Sequence, residues 1–506
     1  MKLGLSTDFG SLHHWKRLVA FAQKHAVDRL VFWGDYTTAG FTPPFLFPRF
    51  PGWLTNEEQA QRETIRRKMA DAAQLSASAG IKFWYCFQVL MVPDLKRVRD
   101  SSPQLFNEHG EPDMAGDAIY RLIEDQIDEL LALVPNLAGL EMWVMECANV
   151  VISQLAHQSI SLQEICRRIV ETAHNKCARH GLALCVALHT AGGDRATLEG
   201  LLAAARAHPD IMVSGDNVIG DFHLHLPFNQ HLWRAAVTNP VQVHFDLDGE
   251  YWGRNFFPTC ALRQYEEHIK EACALGADCV NGRISTGHDK WSPHINLLPS
   301  RRSFYPDADP NSKALSQKIE VCCFDTLGGF NAEFFCSCAT GAVCERVDVV
   351  RSFLRSEFGQ AADDLAPALV DVEGVAARIF YAGQNYFNAQ SILPAPHLAR
   401  FFAMDLQLTA PPGEPFIPRD WPQPGRAEFA GWPTPRGLRA TGARALIEEK
   451  RQALADAGQL EARARQACAH LAPEHSSFII RQFEDFVLLA RAATTLMEAM
   501  VHFFHL

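Results

Sequence analysis

"RETIRRKMADAAQLSASAGIKFWYCFQV", residues 62–89, joins two opposed patterns at one glycine. Up to Ala79 the apolar residues recur at helical spacing. From Ile81 to Val89 they run almost without a break, as in a strand buried on both faces. Gly80 between them fits a helix C-cap that turns the chain directly into a strand. The same helix–glycine–strand junction recurs at Gly181 and Gly276.

Working outward, eight short apolar runs alternate with amphipathic ones over the first 290 or so residues. The strand candidates are 2–7, 29–34, 81–89, 139–146, 182–189, 211–215, 241–248 and 278–284. Helical runs such as 13–26, 62–80 and 161–181 lie between them, and the sixth, about 229–237, is the shortest. Alternation repeated eight times predicts an α/β fold, a (β/α)8 TIM barrel, over residues 1–345. Beyond it, 344–359, 366–387, 442–471 and 477–506 read as helices and predict a helical C-terminal domain over 346–506. A Pro- and Gly-rich excursion at 410–437 interrupts it. The last helix is apolar on much of its surface, which suits burial against the barrel or against a second copy in a homodimer.

A chain of 506 residues, 48% hydrophobic and 21% charged, has ample material for a core. Its net charge of −11 argues against nucleic acid or an anionic membrane as partner. No h-region and no long apolar span is visible, and none of the fourteen cysteines has paired C-x-x-C spacing. The expectation is reduced thiols, a cytoplasmic location and neither metal nor other cofactor.

A barrel of this type keeps its chemistry at the C-terminal ends of its strands. There the sequence puts Asp8, Trp33, Asp35, Gln88, Glu146, His189, Asp216, Asp221 and Arg283. The seventh strand runs into "VHFDLDGEYWG". Asp246, Asp248 and Glu250 sit two apart there, so a continuing strand would point all three carboxylates to one face. Glycoside hydrolysis needs two carboxyl groups flanking an anomeric carbon. Glu146 is the candidate acid, with Trp143 and Met145 keeping it protonated. Asp221 and Glu250 are the other candidate catalytic carboxylates. Tyr251 and Trp252 suit the apolar face of a sugar, and Trp33, Asp35, Gln88, Trp143, His189, His223, Asp248 and Arg283 are the further substrate-binding candidates. His223 and His225 also admit a metal-dependent hydrolase as a third reading.

Residues 146–359 resemble the glycoside hydrolase family 67 α-glucuronidases. "GDFHLHLPF" is similar to that family's segment around an Asp-Phe pair, which falls on Asp221-Phe222. "VHFDLDGEYWG" lays Glu250, Tyr251 and Gly253 on its Glu, Tyr and Gly, and residues 330–359 resemble its passage into a helical domain. The resemblance implies an inverting hydrolase that removes a terminal α-linked sugar or uronic acid from an oligosaccharide. Glu146 would protonate the leaving oxygen, and Asp221 with Glu250 would activate water. Where the family has a lysine that meets the uronate carboxylate, this chain has Met142. The alternatives are a retaining glycosidase, with Glu146 as acid/base and Glu250 as nucleophile, and a non-catalytic carbohydrate-binding barrel.

Overall fold

The computed structural model describes residues 1–7, 12–33, 35–37, 40–144, 152–188, 195–218, 222, 224, 228–229, 238–250, 252–253, 257–285, 298–304, 323–342, 345–382, 385–386 and 442–503. Eight parallel strands close into a barrel: β1 (Lys2–Thr7), β2 (Arg29–Phe32), β3 (Lys82–Gln88), β4 (Gly139–Trp143), β5 (Ala183–Ala187), β6 (Met212–Asp216), β7 (Val241–Asp246) and β8 (Cys279–Ser285). Each strand neighbours the next in sequence, and β8 returns to β1, with Lys2 opposite Cys279. All eight strand expectations correspond to barrel strands. Gly80, Gly181 and Gly276 take φ of +73°, +68° and +84°, the left-handed conformation that a side chain would strain.

Around the barrel run α1 (Leu12–Lys24), α2 (Asn56–Ser78), α3 (Ala118–Leu133), α4 (Leu162–Arg179), α5 (Arg195–Arg206) and α6 (Leu262–Ala274). The α2 helix starts well before residue 62. Thr55 accepts from the Glu58 amide while the Glu58 carboxylate accepts from the Thr55 amide, a reciprocal cap that fixes the first turn at Asn56. Trp15 on α1 is fully buried and donates to Ser76 on α2 at 3.2 Å, tying neighbouring outer helices together.

The chain forms two compact units. One comprises Met1–Asn217, Leu232–His244 and Ala272–Gly287; the other comprises Val218–His231, Phe245–Glu271 and His288–Leu506. The second contains α7 (Gly329–Ala339), α8 (Arg346–Phe358), α9 (Ala366–Phe380), α10 (Ala443–Ala467) and α11 (Pro473–Phe503). Within it, buried Glu373 of α9 accepts from the amides of Arg263 and Gln264, capping the first turn of α6. Phe335 of α7 packs on Phe245 and Tyr265 at 5.2 and 5.8 Å. The α9 helix stops at Phe380 rather than running to 387. Lys450, buried on α10, donates to the carbonyls of Arg378 and Tyr381, and a small hairpin pairs Tyr381 with Tyr386. The expected excursion at 410–437 and the short helix at 229–237 lie outside the described residues, apart from Asn229. Among the described residues no helix is long and apolar enough to cross a membrane.

One consequence of this packing is a pH dependence. His268 on α6 is buried edge-on to Phe228 at 5.6 Å, and burial pulls its pKa down to about 4. Below about pH 6.5 the unfolded chain takes a proton that the folded chain refuses until about pH 4. The stability from this site is therefore present above pH 6.5 and lost as pH falls towards 4, by about 3 kcal/mol in all. Denaturant unfolding at pH 7, 5.5 and 4 should show a steeper acid loss in the wild type than in His268→Leu.

Candidate active site

Strand alternation sorts the barrel residues into inward and outward sets. Inside lie Arg29 of β2, Glu141 of β4, Gln242 and His244 of β7 and Asn281 of β8, none more than 3% exposed. The strands β2, β4 and β7 are not neighbours, so their hydrogen bonds cross the interior. Arg29 donates to Oε1 of Gln242, and Gln242 Nε2 donates to Glu141 Oε2 at 3.0 Å. His244 Nε2 lies 3.2 Å from Glu141 Oε1 and 2.6 Å from Gln242 Nε2. Asn281 Nδ2 reaches Ser6 Oγ at 3.0 Å and His244 Nδ1 at 3.3 Å. Arg29 also lies over the Trp84 ring at 4.5 Å. A charged layer thus fills the lower barrel, where apolar side chains usually pack. Charges so deep need compensation; here Gln242 links the Arg29 guanidinium to the Glu141 carboxylate, while Arg29 Nε has no hydrogen bond among the described residues.

Above this layer, towards the strand C-termini, the same inward set becomes aromatic. Trp33 follows β2 and Trp143 ends β4, and their rings meet edge-to-face at 4.8 Å and 65° across the intervening strand. They belong to one buried cluster with Val31, Trp84, Cys86, Cys185 and Ala187. Gln88 ends β3 and is 1% exposed, yet neither its amide nitrogen nor its oxygen has a hydrogen-bond partner among the described residues. The Trp33 indole N–H is likewise unpaired among them. Each buried unsatisfied polar group costs roughly 1–3 kcal/mol, so such a group at a barrel mouth invites a ligand that satisfies it.

In the other compact unit, β7 ends at Asp246 and the chain turns, so the three acids do not share a strand face. Asp246 Oδ1 accepts from the Asp248 amide at 3.0 Å, and its Oδ2 accepts from the Glu250 amide at 2.6 Å. Its backbone carbonyl takes the Tyr265 hydroxyl at 2.6 Å. Asp246 therefore builds the turn that presents Asp248, fully buried, and Glu250, 9% exposed. Gly249 has φ +80°, and a Cβ there would sit 3.0 Å from the Trp252 ring. Gly253, at φ +126°, would strike Thr259 Oγ1 at 2.7 Å. Both glycines of "DGEYWG" are thus required by the turn.

Of the sequence candidates, Trp33, Gln88 and Trp143 come together at the ends of β2, β3 and β4. Asp248, Glu250 and buried Trp252 share the turn after β7. Arg283 is half-buried on β8 opposite Ser6, and Asp35 begins a short strand, Asp35–Thr37, paired with Gly40–Thr42. Glu146, His189, Asp221, His223 and Tyr251 lie outside the described residues. Met142 has the parity opposite to Glu141 and Trp143: it faces away from the barrel interior and is fully buried. The Arg29–Gln242–Glu141–His244 network was not anticipated. Its signal was the polar residue at every second position of "VQVHFD" and the lone Glu141 inside the apolar run "GLEMW".

No protein-family model matches the sequence, and no curated protein matches it. Among solved structures, the chain is similar to a GH138 enzyme targeting pectin rhamnogalacturonan II, with a TM-score of 0.61 and 10% identity. The match covers 100% of this chain, which spans 58% of that enzyme's length. Lesser likenesses are to dispersin B (TM-score 0.35, 11% identity, 56% of this chain and 91% of that one) and to a GH20 exo-β-N-acetylglucosaminidase from Vibrio harveyi (0.34, 14%, 48% and 42%). At 10% identity the first likeness is one of fold: a barrel followed by a helical region.

Proposed function

We propose that the protein is a glycoside hydrolase that removes a terminal α-linked sugar or uronic acid from an oligosaccharide with inversion. The observation that carries this reading is the mouth of the barrel: an edge-to-face tryptophan pair beside a buried glutamine amide that has no hydrogen-bond partner among the described residues. The aromatic surface suits the C–H face of a pyranose, and the amide suits two adjacent hydroxyls. By the family 67 resemblance Glu146 is the general acid, and Asp221 and Glu250 share the base role; the Glu250 amide is bonded to Asp246 in the turn after β7. The fold shared with a GH138 enzyme supports the same reaction class. The outward Met142 removes that family's carboxylate contact, so a uronate substrate would draw its cation from another strand, such as Arg283 of β8.

Product release from a panel tests this reading. The panel holds glucuronate-capped xylo-oligosaccharides, rhamnogalacturonan II fragments and neutral α-linked oligosaccharides. Release of one terminal sugar by the wild type, falling at least tenfold in Gln88→Leu, is the expected result. Binding without turnover across the whole panel would instead favour a non-catalytic carbohydrate-binding barrel.

A further inference from the structure

The inward side chains of β3 are Trp84, Cys86 and Gln88, and strict alternation makes Leu90 the next to point inward, above Gln88. Leu90 turns the other way. Its φ is +62°, a left-handed conformation that only Ala26 and Phe47 share among the described non-glycine residues. The side chain, 2% exposed, lines a small apolar cavity with Trp53, Val98, Leu105, Ile119 and Leu122. Ile119 and Leu122 lie on α3, an outer helix, so this packing is outside the barrel. The backbone is held on both sides of the turn. The Val89 amide donates to the Trp143 carbonyl at 2.9 Å, and buried Gln126 of α3 donates to the Met91 carbonyl at 3.5 Å. A left-handed leucine is disfavoured, because its Cβ crowds the next carbonyl oxygen. Burial of the side chain offsets that cost.

We infer that Leu90 is a positioning residue for the sugar site: its left-handed turn leaves Gln88 as the last inward side chain of β3, with no further side chain of that strand above its amide. The inference rests on the glycosidase reading above. Gln88 and Trp143 are partners in the β3–β4 register, and the Val89–Trp143 bond is the next rung of that ladder. A change in the turn therefore reaches both residues directly. Two demands meet at this position, and two substitutions separate them. Glycine takes the same φ without strain but leaves the cavity unfilled. Isoleucine keeps the volume, but its branched Cβ is at odds with a left-handed backbone.

The test compares Leu90→Gly with Leu90→Ile at a temperature where wild type and variants are folded, as checked by their unfolding midpoints. Leu90→Val, branched but smaller, takes the place of Leu90→Ile if that variant does not fold. Amide exchange at Val89 is read together with kcat/KM on whichever panel oligosaccharide the wild type cleaves. In Leu90→Ile, kcat/KM should fall by about tenfold or more, since a misplacement of about 1 Å can cost up to about 100-fold. Val89 should exchange at least tenfold faster there than in the wild type. Leu90→Gly should lower the unfolding midpoint yet keep kcat/KM within about twofold, a split that a merely structural role would not produce. An equal loss of kcat/KM in both variants, or none in either, overturns the positioning role. Unchanged Val89 exchange in the branched variant overturns the part played by the turn. A wild type inactive on every substrate overturns the glycosidase reading, while the exchange arm still decides whether the turn holds the β3–β4 rung.

Discussion

Glu146→Gln should reduce turnover of oligosaccharides by roughly 10²–10⁴-fold, the usual contribution of a general acid. The reason lies in the leaving group. A sugar alkoxide is a poor leaving group and needs a proton as the bond breaks, and an amide cannot supply it. An aryl glycoside with an acidic phenol leaves without that help, so on such a substrate the same variant should lose less than about tenfold. KM and the unfolding midpoint should be unchanged, since the substitution is isosteric. An equal loss on both substrates would remove Glu146 from the acid role.

Glu141→Ala acts on the barrel rather than on the chemistry. Glu141 is 1% exposed, bonded to Gln242 and 3.2 Å from His244, with Arg29 on the far side of Gln242. Its removal leaves buried Gln242 Nε2 without its carboxylate acceptor and takes away the negative charge beyond it, a change that costs about 1–3 kcal/mol. Urea unfolding should show that loss, with the midpoint lowered. The double variant Arg29→Met/Glu141→Leu should lose much less than the two single variants together, because no charge is then left uncompensated. A loss below 1 kcal/mol for Glu141→Ala would mean that the network contributes nothing to the barrel.

The barrel was legible because parallel strands buried on both faces read as nearly unbroken apolar runs, and because glycines mark where helices stop. Runs such as 81–89 and 182–189 could hardly be anything else. The interior network was written in other strands, as Glu141 within the apolar run 139–143 and as polar residues at alternate positions of 241–246. Which of them would meet depended on barrel closure, a non-local event that places β2, β4 and β7 around one axis. Asp246 was misread for a local reason. A short carboxylate at a strand end can bond the amides that follow it, and here that competes successfully with continuing the strand. Alternation alone would have shown that Met142 faces away from its neighbours Glu141 and Trp143. The early start of α2 was also readable, from Thr55 and Glu58 three residues apart.

The central claim is hydrolysis with inversion at an α-linked terminal sugar. Proton NMR of the first product, recorded before mutarotation, tests it most directly. The account predicts the β-anomer released from an α-linked cap, with the α-anomer appearing only later as the free sugar equilibrates. An initial α-anomer would contradict it. That result would make Glu250 a nucleophile at the end of β7 and Glu146 an acid/base, the geometry of a retaining enzyme.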